Sequence, residues 1–352
     1  MAAWIGPGIS ADRLRRALDR LEASFLEERS PEALIARREA GLWSSEDETL
    51  AAMLASELVG RQQADGSWDG DLCATAHAVV LLAELGPSVE RGPIPSAVER
   101  ATDWLHSRRG APGRFGDGCT PDLHRLGFCH HFLGGFFAPT FEARDASGPH
   151  NERDPHDDRD PLDERGASDP PESPDPAVRL PCGAEFAPGP VASLVASCAA
   201  LLALLKWGRV GPDARLHLDG VRRLLLVDPR EVPGLVPLEA IPALVHVLLA
   251  APERGDADPA VRRGLGRLTQ VQRADGSWPE MDALCVLDVL IAASRAGHGN
   301  DAVAASLRRG AGLLAVTQRD EGTWERNGSA WRSLIAWRTL RFAVESCGGR
   351  AS

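Results

Sequence analysis

A seven-residue phrase occurs three times in this sequence, and it constrains the fold more than any other feature. The copies run from Gln62 to Trp68, from Gln272 to Trp278 and from Gln318 to Trp324, in the pattern Gln-x-x-acid-Gly-Ser/Thr-Trp. The second and third copies start 46 residues apart, at positions 272 and 318. A fixed period of this length indicates a repeat architecture, in which one supersecondary unit recurs along the chain.

The chemistry of the phrase suits a connection between two helices. The acid-Gly step favours a tight turn in which glycine takes a positive φ, and the following hydroxyl is expected to cap the next helix. Tryptophan is expected to pack between helix ends, and glutamine to pair with helix-terminal backbone groups. Weaker copies at 109–115 and 230–236 indicate that the unit is used about six times.

Apolar periodicity and capping residues predict an all-α chain. Twelve or thirteen helices, paired as hairpins, fit an open solenoid or a closed ring, and about six hairpins favour closure. The helices after each tryptophan are the more apolar ones, as the inner layer of a double ring requires. The predicted helices cover residues 11–28, 31–41, 47–60, 72–85, 94–107, 120–138, 191–207, 214–226, 238–251, 258–271, 281–297, 299–317 and 328–345.

The stretch from 141 to 190 interrupts this pattern within an otherwise single domain over 1–352. It is rich in proline, aspartate, glycine and serine, and residues 142–185 hold 13 acidic and 5 basic side chains, a net charge of −8. Such a segment buries too little apolar surface to order itself. We expect an acidic, disordered insertion; the alternative is a flap over one mouth of the ring.

Bulk properties exclude several classes of function. The formal net charge is −11 and no basic patch stands out, so we expect no nucleic-acid partner. The sequence contains no apolar run of about 18 residues, so we expect no transmembrane segment. We also see no leader sequence in it. The seven scattered cysteines do not indicate a disulfide framework, which favours a reducing, cytoplasmic location.

The repeated phrase resembles the QW motif of the terpene cyclase and protein prenyltransferase superfamily, which includes squalene-hopene cyclases and prenyltransferase β subunits. The resemblance covers most of residues 45–345. It implies a single α/α toroid, an α6/α6 double ring of helical hairpins, with an isoprenoid ligand in the central cavity. It also leaves open a helical partner subunit or a homo-oligomer.

Two motifs of the superfamily fall on the same place, the stretch from Asp71 to Thr75. Class II cyclases carry Asp-x-Asp-Asp-Thr there, and its acid protonates an alkene; here Cys73 and Ala74 replace the two central acids. A thiol cannot protonate an alkene, so this stretch does not supply cyclase acid chemistry.

The second motif is the prenyltransferase zinc site, which Asp71, Cys73 and His124 match in residue type. A carboxylate, a thiolate and an imidazole with one open position suit a catalytic zinc ion that activates a substrate thiolate. The resemblance thus predicts Zn at Asp71, Cys73 and His124. It slightly favours metal-assisted prenyl transfer over a cyclase-like enzyme without the usual acid, or a non-catalytic isoprenoid- or partner-binding toroid.

An aromatic stripe follows His124 in the predicted helix 120–138. Phe128, Phe132 and Phe136 continue the i, i+4 spacing, which places them on one face. Facing the lumen, they would form a substrate-binding wall for an isoprenoid or a carbocation; the alternative is an ordinary core face.

Several other polar residues in apolar helices are expected to be structural. His77 and His246 are expected to be core histidines. Cys285 is expected to be a buried cysteine beside an exposed aspartate, with Asp282 and Asp288 close in sequence. Cys182 lies in the stretch that is expected to be disordered.

Overall fold

A computed structural model describes residues 10–86, 93–108, 177–187, 190–209, 211–228, 230, 236–251, 258–320, 322–324 and 330–348. Within these ranges the chain forms twelve α-helices and one two-stranded hairpin. The helices are α1 (Ala11–Phe25), α2 (Pro31–Ala40), α3 (Ser45–Gly60), α4 (Leu72–Leu85), α5 (Ile94–Ser107), α6 (Pro190–Lys206), α7 (Pro212–Leu226), α8 (Ile241–Ala250), α9 (Pro259–Gln270), α10 (Ala283–Ala293), α11 (Asp301–Thr317) and α12 (Ala330–Gly348).

The twelve described helices form two concentric layers. Each even-numbered helix packs on the next even-numbered one, from α2 through α4, α6, α8 and α10 to α12, and α12 packs back on α2. The odd-numbered helices surround this inner ring, and α11 packs on α1 across the join between the two ends of the chain. The predicted α/α double ring is therefore confirmed, and it is closed.

Burial separates the two layers as the sequence predicts. In the inner helix α8, seven of the ten residues are buried, whereas the outer helix α9 buries only one face, five of its twelve residues. An inner helix is buried both on the face toward the centre of the ring and on the face toward the outer layer, so it must be apolar all round. An outer helix packs on the inner layer with one face, so it needs only one apolar stripe.

Local sequence signals set where many of the helices begin. The Ser10, Ser30 and Asn300 side chains cap α1, α2 and α11, and Ser44 with Asp47 forms a reciprocal capping box at α3. These side chains satisfy backbone N–H groups that have no partner within the helix. Sequence-predicted and observed helices agree to within about three residues at nearly every end; the predicted helix 120–138 lies outside the described residues.

The repeated phrase ties each turn to the next outer helix. The Gln62 amide donates to the Gly66 carbonyl oxygen at 2.9 Å and to Ala97 in α5 at 2.8 Å. The Gln272 amide makes the same two bonds, at 3.1 Å each, to Gly276 and to Ser306 in α11. The acceptors lie in the first two turns of the outer helices, at Ala97 in α5 and Ser306 in α11, whereas the sequence predicts helix-terminal backbone groups as partners.

The other residues of the phrase also have local partners. The Trp68 ring is buried and its Nε1 donates to the Leu58 carbonyl oxygen at 2.8 Å, joining the turn to the end of α3. The expectation that Ser67 caps the next helix is wrong. Its hydroxyl donates to Asp65 Oδ1 at 2.7 Å inside the turn, and Asp71 caps α4 instead.

The sequence predicts disorder at 177–187, whereas the structure shows a β-hairpin there. Strand β1 (Val178–Arg179) pairs antiparallel with strand β2 (Glu185–Phe186), with Val178 opposite Phe186. The Leu180 and Gly183 backbone amides donate to Ala184 and Leu180 carbonyl oxygens, which closes the turn. Val178 is buried, because β1 packs on α6. The rest of the predicted insertion, 141–176 and 188–189, lies outside the described residues.

None of the helices in the described part of the chain is long and apolar enough to cross a membrane.

Candidate functional site

The inner ring surrounds a central cavity. Its free space, including the part open to solvent, is about 760 Å³, and side chains of α4, α6, α8, α10 and α12 line it. The wall is apolar in most places, with a few polar groups inside it. A mostly apolar cavity with few, fixed polar groups is the usual form of a small-molecule site. The polar and aromatic residues of this wall are Cys73, His77, Cys182, Phe186, Cys198, Glu239, His246, Cys285, Asp288 and Trp331.

The hairpin lies at one mouth of the cavity, where the inner helices begin. Leu180 and Phe186 of the hairpin contribute to the cavity wall, and Glu32, Asp71 and Ala330 lie near the hairpin at the N-terminal ends of their helices. The inner helices therefore run parallel, with all their N-termini on the hairpin side. The described part of the insertion, 177–187, therefore lies at one mouth of the ring, and the flap over that mouth stays a prediction.

A disulfide joins this hairpin to the ring. Cys182 in the hairpin turn is bonded to Cys285 in the first turn of α10, over a sequence separation of 103 residues. The sequence did not indicate a disulfide, and Cys285 is not the simple buried thiol that we expected. The two cysteines come together because the ring folds α10 under a hairpin that is distant in sequence, and spacing alone does not contain that information.

The opposite end of the ring carries a charged cluster. Arg338, only 8% exposed, binds Glu39 through Nη2–Oε1 at 2.5 Å, and Arg295 Nη1 donates to the same Oε1 at 3.0 Å. Lys206 pairs with Glu84 at 2.5 Å. Burial alone would raise the pKa of Glu39, but the Arg295 and Arg338 guanidinium groups outweigh burial and lower it. The cluster holds the C-terminal ends of α2, α4 and α6 together.

Between the two ends, an aspartate and a histidine face each other across the cavity wall. Asp288 Oδ2 in α10 lies 4.0 Å from His246 Nδ1 in α8. Asp288 is 9% exposed, so the expectation of an exposed aspartate is wrong at this position. Burial lowers the pKa of His246, with Asp288 opposing this and Lys206 and Arg338 adding to it. His246 is therefore a neutral imidazole beside a carboxyl group.

Arg338 also acts on this pair through its charge. Burial alone would lower the pKa of Arg338, but the acidic side chains of Glu39, Asp288 and Glu84 outweigh burial and raise it. A permanent cation is thus held within electrostatic reach of Asp288.

A second histidine of the wall lies against an aromatic ring. The rings of His77 and Trp331 meet edge to face, with centroids 5.2 Å apart. Burial lowers the pKa of His77 to about 4, so this imidazole is neutral at neutral pH. His77 and His246 are therefore not enclosed core residues, as we expected, but neutral groups of the cavity wall.

The residues of the predicted zinc site are only partly described. The Asp71 carboxylate accepts a hydrogen bond from the Ala74 backbone N–H at 2.7 Å and caps α4. Cys73 is 5% exposed, and burial, with the nearby Asp71 charge, raises the pKa of its thiol, which disfavours the thiolate that zinc binds. The part of the chain that the structure describes contains no group of three or more suitable ligands. These two residues, as they are placed, fit a helix cap and a buried thiol better than a zinc ion.

The remaining predicted site residues lie outside the described residues. They are His124, the third proposed zinc ligand, and the aromatic stripe of Phe128, Phe132 and Phe136. The ring of six inner helices closes among the described helices, with α4 packed directly on α6. The zinc site and the aromatic wall stay predictions.

The double ring, with its parallel inner helices and apolar central cavity, defines the chain as an α/α toroid. No family model matches the sequence, and no curated protein matches it. Among solved structures, the chain is similar to a variant of the type II terpene cyclase MstE from Scytonema in complex with its substrate, geranylgeranyl dihydroxybenzoate. The TM-score is 0.52 at 13% identity, over 95% of this chain and 98% of that chain.

The chain therefore has the fold of a type II terpene cyclase. The resemblance seen in the repeated phrase is confirmed at that level, and the identity of 13% limits this likeness to the fold.

Asp288 and His246 are the site residues that sequence reasoning missed. Both lie in apolar helices, at corresponding places of successive repeats, where one polar side chain among aliphatic residues looks like an isolated exception. Alignment of the α8 segment 237–251 with the α10 segment 279–293 offers a signal, because His246 and Asp288 fall at the same position of these two equivalent inner helices.

Proposed function

We propose that the protein is an isoprenoid-handling enzyme of the cyclase type, which binds a prenyl chain in the central cavity and starts cyclisation by protonating an alkene. Asp288 is the proposed acid, and His246 and Arg338 are its supporting residues. The single observation that carries this proposal is the Asp288–His246 pair, 4.0 Å apart in the wall of an apolar cavity.

The chemistry follows from the surroundings of Asp288. In its protonated form, the carboxyl group transfers its proton to one carbon of an alkene, and the alkene π pair forms the new C–H bond. The other carbon becomes a cation, which a second alkene of the same chain attacks to close a ring. The apolar wall excludes water, which would otherwise capture the cation.

The wall provides groups for the later steps as well. Trp331 offers an aromatic surface to a cation, an interaction that strengthens where water is excluded. His246, neutral because of burial, can accept the proton that the final cation loses and return it to Asp288. The net reaction is an isomerisation, so neither a redox partner nor a metal is required.

The position of the acid differs from that in the motif that the sequence resembles. Cys73 and Ala74 stand where class II cyclases carry their acids, at the start of α4. Asp288 lies one and a half turns into α10, on another wall of the same cavity. We propose that the acid has moved from one inner helix to another, while the cavity that it serves is retained.

Zinc-dependent prenyl transfer through Asp71, Cys73 and His124 is the second candidate. It is supported by the position of Asp71 and Cys73, which share the pocket at the cavity mouth. Zinc content of the protein purified without added metal tests it: about one zinc per chain, lost in Cys73→Ser, supports this candidate. A helical partner subunit, a homo-oligomer and a cytoplasmic location also stay predictions.

The test of the cyclase proposal uses linear prenyl compounds, such as geranylgeraniol and geranylgeranyl-substituted phenols, with product analysis by mass spectrometry. We expect cyclic isomers of unchanged mass from the wild type and at least about a hundredfold slower formation in Asp288→Asn, the usual scale for loss of a general acid. Asp219→Asn, at an exposed site in α7, is the matched control and should keep full activity. Equal activity of Asp288→Asn and wild type would remove Asp288 from the mechanism.

A further inference from the structure

The Cys182–Cys285 disulfide is placed where it can control entry to the central cavity. One sulfur belongs to the hairpin at the mouth and the other to an inner helix, and both residues line the cavity. We propose that this disulfide is a redox site: it exchanges with thiols, and its state decides whether the hairpin is fastened over the mouth. The proposal requires only the cavity, so it does not depend on cyclase chemistry.

Among the described residues, the hairpin is also held by packing, since Val178, Cys182 and Ala184 are buried in the core. Each strand has only two residues, and a two-stranded hairpin of that size is not stable alone. Arg332 of α12 bridges Asp282 at 3.0 Å and donates to the Cys182 carbonyl oxygen. The Arg179–Glu185 pair joins the strands to each other and is largely exposed, so it adds little.

A further anchor is α6, which follows the hairpin in sequence and against which β1 packs. The hairpin is therefore attached at its α6 side by the chain and at its α10 side by the disulfide. Breaking the disulfide removes the covalent link to α10. It leaves the hairpin held by the chain on the α6 side, by the packing of its buried side chains and by the Arg332 contact with Cys182.

The disulfide can be reached from outside. Cys285 lies on the central cavity and also on a second pocket, between the hairpin and the start of α10, which Glu280 and Asp282 line near the surface. A thiolate of a small dithiol attacks one sulfur, the S–S bond breaks, and a mixed disulfide forms. The second thiolate of the reagent then releases the other cysteine as a thiol. The protein gains two electrons and two protons, and the dithiol becomes a disulfide.

The reverse step needs an oxidant. A small-molecule disulfide such as oxidised glutathione supplies it by the same exchange, taking up the two electrons as the protein bond forms.

Cys198 provides an internal reporter of opening. The Cys198 thiol lines the cavity from α6, and Cys198 is 1% exposed in this structure, in which the disulfide is formed. The experiment measures the rate at which N-ethylmaleimide labels Cys198, read from its tryptic peptide by mass spectrometry. The samples are wild type treated with oxidised glutathione, wild type reduced and desalted, Cys182→Ser and Cys285→Ser. Cys347→Ser is the control, because that cysteine is a free, half-buried thiol at the end of α12.

We expect a Cys182–Cys285 linked peptide in the oxidised sample, and Cys198 labelling at least about tenfold faster in the reduced protein and in both serine variants, as local opening predicts. Re-oxidation should restore the slow rate, and Cys347→Ser should match the wild type. Equal Cys198 rates in the oxidised and reduced protein would overturn the proposal, as would absence of the linked peptide. Loss of the helical circular dichroism signal on reduction would also overturn it, because the disulfide would then be a structural staple.

Discussion

The side-chain amide of Gln318 donates a hydrogen bond of 2.9 Å to the carbonyl oxygen of Ala17, 301 positions earlier in the chain. The same amide donates to Gly322 at 2.7 Å, and Arg20 donates to its Oε1 at 2.5 Å. The third copy of the phrase thus donates a hydrogen bond to α1 as the first copy does to α5. The turn of the last repeat therefore binds the first outer helix, which closes the ring.

Replacing Gln318 by alanine should weaken this closure. Gln318→Ala removes two donated bonds and leaves Arg20 without its acceptor, so we expect a loss of about 2 kcal/mol in the free energy of unfolding. Urea denaturation measures it. Gln63→Ala is the matched control, since the described partner of the Gln63 side chain is a local one, the Ser67 hydroxyl; it should cost less than about 1 kcal/mol. Equal losses in the two variants would mean that the closing bond adds nothing.

The glycine of the phrase is fixed by its conformation and by a close contact. Gly276 has φ +89°, and a Cβ there would lie 2.3 Å from the Arg309 carbonyl oxygen in α11. We expect Gly276→Ala to destabilise the protein by about 3 kcal/mol, measured by thermal unfolding. Gly266→Ala, within α9 and with free space around the new methyl group, should instead be neutral or stabilise by up to about 1 kcal/mol. A neutral Gly276→Ala would contradict the proposed packing of turn on helix.

Removing one partner from the charged cluster at the C-terminal ends of the inner helices should lower the free energy of unfolding. Glu39→Gln leaves Arg338 buried beside a neutral amide, and we expect a loss of about 3 kcal/mol, on the scale of a broken buried ion pair. Glu345→Gln breaks the exposed i,i+4 pair with Arg341 and should cost less than about 0.5 kcal/mol. Chemical denaturation of both variants compares them directly. Similar small losses would show that the cluster is not essential to the ring.

A buried histidine should make the fold sensitive to mild acid. His217 in α7 is 2% exposed, and burial lowers its pKa from 6.5 to about 3. Between these values the unfolded chain binds a proton that the folded chain does not, so stability falls as the pH decreases from about 6.5 toward 4. We expect this contribution to be on the order of 3 kcal/mol over that range.

His217→Leu should remove that part of the pH dependence. The free energies of unfolding of wild type and variant, measured from pH 7 down to pH 4, should converge or cross as the wild type loses stability. His77, whose pKa burial also lowers, contributes in the same direction in both proteins. Parallel pH curves for the two proteins would show that His217 is not titrating as burial requires.

The parts of the fold that could be predicted are those in which the information is local. Trp68, Gly66 and Gln62 occupy one turn, and their roles repeat with the phrase, so periodicity finds the hairpin unit and its number. Capping residues and apolar stripes mark the helix ends to within a few positions. Ring closure follows because six units of one geometry return to their origin.

The site was harder to predict, because it depends on which residues of distant helices face the same cavity. Asp71 and Cys73 were selected by their position in a motif, and the structure gives one a capping role and the other a buried thiol. Asp288 and His246 belong to no motif, and only the ring brings them to 4.0 Å. The Cys182–Cys285 bond was missed for the same reason.

The most direct test of the account is the mass of the product formed in deuterated water. If Asp288 protonates an alkene, its acidic hydrogen exchanges with solvent, so the cyclic product must carry a single deuterium at the protonated carbon. We expect this label in the wild type and little or no cyclic product from Asp288→Asn. A cyclic or transferred product without solvent deuterium would contradict the account, because the reaction would then begin without protonation.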